Sequence, residues 1–140
     1  MNLMEMVIAL LAVVLFTTLS LSYNQALLRQ TDYLNNATVV VQASQLCHAM
    51  LDEVDAKLFS GQLDIANLVS SYNFTNNVTY PHLPETFRIV SVASDCDSLG
   101  RALSSPNPNS LFKRVMVSVD GPRALKYPYS MTRVYTKTNM

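Results

Sequence analysis

The chain has no tryptophan, only three glycines and two cysteines among 140 residues, and no lysine or arginine before Arg29. Each scarcity excludes a class of function. Glycines at 61, 100 and 121 alone leave no Gly-rich loop of the kind that cradles phosphates at a helix N-terminus. Cys47 and Cys96 form no CxxC pair, histidines stand only at 48 and 82, and no HExxH is present, so zinc-ligand spacing is missing. His48 precedes Asp52 by four, and Asp95 and Asp97 flank Cys96, yet the oxygen-rich spacing of an EF-hand loop is absent. These side chains read as solvated helix-face and loop groups. The sequence therefore predicts no enzyme, no metal and no cofactor.

The missing cations matter most at the N-terminal end. Met6, Val7, Ile8, Leu10, Leu11, Val14, Leu15 and Phe16 belong to an uninterrupted apolar run from Met6 to Phe16, which continues through Thr17, Thr18 and Ser20 to Leu21. About 21 residues at a rise of 1.5 Å give ~31 Å of helix, close to the thickness of a bilayer hydrocarbon core. A cleaved secretory signal would carry a basic n-region, and a plain anchor normally takes its orientation from flanking Lys or Arg. This run has neither, and it carries Glu5 at its start. A carboxylate on a lipid-embedded helix costs roughly 2.5–3.5 kcal/mol on insertion scales and is usually paired and functional. No cation lies near it in the sequence. The N-terminal amine of a neighbouring copy, packed alongside with a stagger, would pair with it and make the charge a register key.

Met1-Asn2-Leu3-Met4-Glu5 followed by the apolar run resembles the mature N-terminus of type IV pilins and of the pseudopilins of type II secretion. The resemblance covers about the first 25 residues, with Met1, Val14 and Ser22 standing where many members carry Phe, Gly and Pro. It implies that a prepilin peptidase removed a basic leader before Met1, that the new first residue is N-methylated, and that Met1 and Glu5 are assembly residues. It implies a precursor pool in the inner membrane and then a filament of copies of the chain, extracellular for a pilus or periplasmic for a pseudopilus, built by the pilus assembly machinery. A minor pilin or pseudopilin of a secretion or DNA-uptake machine is the alternative. A monomeric membrane-anchored binding domain is a third reading.

From Tyr23 to Phe59 there is no Gly or Pro, and Gly61 supplies a stop. Apolar positions recur at Leu27, Leu34, Ala37 and Val41, then at Val40, Ala43, Cys47, Met50, Val54 and Leu58. This predicts one helix of about 55 residues, ~80 Å long. Its parts are a membrane or filament-core helix over 1–25 and an amphipathic continuation over 26–60. An irregular connector over 61–85 follows, with one apolar turn at Ile65 to Val69, and then an antiparallel sheet over 86–140. Residues 87–93, 112–119 (with Val115, Val117 and Val119 on one face) and 129–136 read as strands. The fold class is α+β, a long helix on a small antiparallel sheet.

Cys47 on the helix stripe and Cys96 after the first strand form a candidate disulfide if that strand packs on the helix, the alternative being two unpaired thiols. Residues 1–100 hold nine acids and three bases, whereas residues 101–140 hold seven bases and one acid. Lys113, Arg114, Arg123, Lys126, Arg133 and Lys137 are thus a candidate basic surface for the acidic helix region (Asp52, Glu53, Asp55, Asp64) of the same or the next subunit. DNA or an anionic surface ranks behind, because these cations are not interleaved with exposed aromatics. Asn36, Asn73 and Asn77 each open an N-x-Thr acceptor pattern, and residues 104–110 form a polar, proline-containing loop.

Overall fold

Residues 3–59 contain neither glycine nor proline, and they form one unbroken α-helix, α1 (Leu3–Phe59). The computed structural model describes residues 2–81, 85–107, 109–123 and 125–137. The hydroxyl-rich stretch after Phe16 stays helical because its hydroxyls bond back to the helix. Thr17 donates to the Val13 carbonyl, Thr18 to Val14 and Leu15 at 2.9 Å each, and Thr31 to Leu27 at 3.0 Å. The helix ends at Gly61, whose φ of 72° lies in the left-handed region. There the Leu63 amide donates to the Lys57 carbonyl at 3.1 Å, closing the last turn.

The chain divides into two units, one up to Ala37 and one from Thr38 onward. In the second, Ala43, Leu46, Cys47, Leu51 and Val54 of α1 are buried. They pack with a four-stranded antiparallel sheet of sequential order: β1 (Phe74–Thr79), β2 (Thr86–Asp95), β3 (Phe112–Asp120) and β4 (Tyr129–Thr136). Pairing runs Ile89↔Val119↔Tyr129 and Ser91↔Val117↔Met131, so the odd-numbered residues of β2, β3 and β4 share one face. Phe87, Ile89, Ala93, Val115, Val117 and Val119 on that face are buried with the helix stripe. Each of these side chains larger than alanine contributes about 1.5–3 kcal/mol of transfer free energy.

The connector expected over 61–85 is more ordered than its composition suggests. It holds a 3-10 turn (Ile65–Asn67), a short helix α2 (Leu68–Ser71) and the edge strand β1. Asn-rich β1 has poor strand propensity, and Asn73 compensates. Its side-chain oxygen accepts from the Ala93 amide at 2.8 Å, and its amide nitrogen donates to the carbonyls of Ala93 (3.1 Å) and Val69 (2.7 Å). That side chain acts as one more rung of the ladder, which commits the Asn73 acceptor pattern to structure. Of the two stripes expected on α1, the one through Ala43, Cys47 and Val54 is the buried one. Leu27, Leu34 and Val41 remain exposed.

Candidate functional site

The unit up to Ala37 is a bare apolar helix. Met6, Val7, Ile8, Leu10, Leu11, Val14, Leu15 and Phe16 are all more than half exposed, Phe16 at 75%. The helix is long and apolar enough to cross a membrane. Monomeric soluble domains rarely expose a contiguous apolar patch of such length. This surface needs a cover, lipid or protein.

Glu5 sits at the third position of α1, and Met1 lies outside the described residues. The Asn2 amide donates to Glu5 Oε2 at 3.1 Å, while the Asn2 carbonyl accepts from the amides of Glu5 (2.9 Å) and Met6 (3.2 Å). Asn2 is therefore the N-cap, and Glu5 is the returning arm of a capping box. The sequence carries that signal as Asn-x-x-Glu, which the register-key reading passed over. A carboxylate here also complements the positive end of the helix dipole. Glu5 has no ion-pair partner among the described residues.

The candidate disulfide is corrected by the structure: Cys47 and Cys96 are free, and both are buried. Cys47 Sγ lies 3.7 Å from the Val117 carbonyl and 3.9 Å from that of Tyr129. Val117 pairs with Ser91 on β2, five residues short of Cys96, which forms a bridge with Ala102 beyond the strand end. Burial pushes the Cys47 thiol up to about 11. Burial, with Asp97 beside it, raises Cys96 as well. Thiolates are the reactive form. Iodoacetamide at pH 7.5 should therefore label neither cysteine in the native protein and both in guanidinium; native labelling read by intact mass would show that a site opens.

The candidate basic surface also needs correction. Lys113 is 2% exposed, and its ammonium pairs with Asp95 across β2 and β3. Arg133 pairs with Asp55 and, at 3.3 Å, with Asp52 of the same chain. Asp52 and Asp55 of the acidic helix region thus meet a cation of their own chain. Arg114 is half-buried and reaches toward the Gly100 carbonyl at 3.5 Å. The exposed cations then divide. Arg123 and Lys126 lie between β3 and β4, beyond the Asp120 and Tyr129 ends, whereas Lys137 follows Thr136 at the other end of β4. They make no single patch. Tyr127, 81% exposed, accompanies the first pair. Among the described residues no three His, Cys, Asp or Glu side chains converge as a metal site would require.

The architecture, one long helix packed on a small antiparallel sheet, is consistent with a pilin-like fold. Neither family models, nor curated proteins, nor solved structures yield a match to this chain.

Proposed function

We propose that this chain is the structural subunit of a helical filament of the type IV pilus kind, held in the inner membrane by α1 before assembly and packed against its copies through α1 afterwards. The observation that carries the reading is Glu5, the only charged side chain among the first 28 residues, at the start of a helix whose N-terminal apolar run is exposed throughout. Packed copies would bury that surface as lipid does, so one apolar face serves both states. Glu5 then selects the packing in which its charge is matched. A prepilin peptidase and the pilus assembly machinery are the partners this implies, and no catalytic step is assigned to the chain.

The capping role of Glu5 dictates the choice of variants. Glu5→Ala removes both the cap arm and the charge, whereas Glu5→Gln keeps a side chain suited to the capping box and removes only the charge. Both are expected to abolish sheared surface filaments seen by electron microscopy while the amount in membranes stays equal to wild type. Wild-type assembly by Glu5→Gln would reduce the residue to a helix cap. Absence of filaments from wild-type cells would favour a pseudopilin or an anchored domain instead.

A further inference from the structure

We propose that Arg29 and Asp32 form an ion pair between neighbouring copies of this chain, setting the axial offset at which their helices pack. The inference rests on the filament reading above. Between Glu5 and Asp52 these two residues are the only Asp, Glu, Lys or Arg on α1. Both are exposed, and neither has an ion-pair partner among the described residues. They lie three apart on one helix yet do not pair with each other. The order explains this: a cation N-terminal to an acid is the poorer arrangement within a helix. The same helix provides the control, since Glu53 and Lys57, in the favourable order at a spacing of four, do pair.

Their surroundings call for a cover. Leu28 is 67% exposed, Tyr33 71% and Leu34 63%, so the segment is not a solvated polar helix. The occupant is a second copy because the two charges complement each other. Three residues place them about 60° apart around the axis and ~4.5 Å apart along it. They splay to opposite flanks of one face. When two parallel helices are offset by about 4.5 Å, Asp32 of one is level with Arg29 of the next, and Arg29 of the first and Asp32 of the second are left for further copies. That is a heterologous contact, which propagates instead of closing. An antiparallel pair would also match the charges but would send the two apolar runs in opposite directions, which anchoring in one membrane forbids.

The test exchanges the charges. Arg29→Asp and Asp32→Arg alone are each expected to lower sheared filament yield about tenfold, because like charges then face each other across the contact. The double variant Arg29→Asp/Asp32→Arg is expected to return yield to within about twofold of wild type, and so is co-expression of the two single variants. Membrane content of each variant, read by immunoblot, is expected to stay at the wild-type level. Filaments made normally by both single variants, or a double variant as poor as the singles, would overturn the pairing and leave the filament reading standing. If wild-type cells make no filaments, both fall together.

Discussion

Asp95→Ala should lower the melting temperature of the unit from Thr38 onward by about 10–30 °C, the largest loss expected from any single polar residue here. Asp95 and Lys113 face each other across β2 and β3 with side chains only 7% and 3% exposed. Water screens such a pair little, and neither group can be rehydrated without opening the sheet. Breaking a buried pair by deleting one partner typically costs about 3–5 kcal/mol, because a charge is left uncompensated. Asp95 also accepts from the Asn107 amide at 2.8 Å, and its own carbonyl accepts from the Leu103 amide at 2.9 Å. The carboxylate thus ties the long β2–β3 connection to the sheet, and its removal strands that amide too. Lys113→Met should cost less, since the Asp95 carboxylate keeps the Asn107 amide as a donor. The double variant should recover much of the loss, since two apolar side chains leave no orphaned charge. Thermal unfolding of the full chain in detergent, followed by circular dichroism, gives all three values. An Asp95→Ala shift below about 3 °C would mean that the pair is hydrated and contributes little.

The inward position of Lys113 was legible in the sequence, although its partner was not. Val115, Val117 and Val119 set the inward phase of β3, and Lys113 is in the same phase. Arg133 shares the phase of Met131 and Tyr135 in the same way. Period two therefore places both cations toward the helix, but reading them by charge alone puts them on the surface. What the pattern could not supply was the partner: Asp95 closes a strand whose alternation is loose, and Asp52 and Asp55 come from a helix about eighty residues away. The long helix, β3 and β4 follow from regular signals, and β2 from its β-branched content despite loose alternation. β1 escaped because Asn76 and Asn77 are poor strand formers, and what secures it is the Asn73 side chain on the backbone of Ala93. The cysteine pairing failed for a related reason. Register decides which residues meet across the sheet, and it sets Cys47 over Val117 and Tyr129 and leaves Cys96 beyond the end of β2. At the other end of the chain the Asn2-x-x-Glu5 spacing was a local signal, available without any tertiary knowledge. The Glu5 carboxylate caps the helix end within the single chain, and packing between copies is the further role we propose for its charge.

Gly121→Ala is expected to be the most disruptive change at any turn, costing at least about 3 kcal/mol from strain and collision together. Gly121 follows β3 directly and has φ of 118°, a conformation that L side chains rarely adopt. A Cβ built there would stand 2.5 Å from the Thr86 carbonyl oxygen and 3.4 Å from the Arg88 amide nitrogen. Both are backbone atoms at the start of β2, where Thr86 pairs with Thr79 and Arg88 with Asp120. No rotamer change relieves that contact. Either the turn into β4 or the first rungs of β2 must move, and the bidentate Arg88–Asp120 pair at 2.9 and 2.6 Å sits on the affected rung. Gly61 is the control. Its φ of 72° is also positive, but nothing lies within 4 Å of the position its Cβ would take. Gly61→Ala should therefore cost only the left-handed backbone penalty, roughly 1–2 kcal/mol. The two variants separate conformational strain from collision when unfolded side by side. Equal melting temperatures would mean that the start of β2 yields to the added methyl, and the close approach of the two backbones at Gly121 would then be no constraint on the sheet.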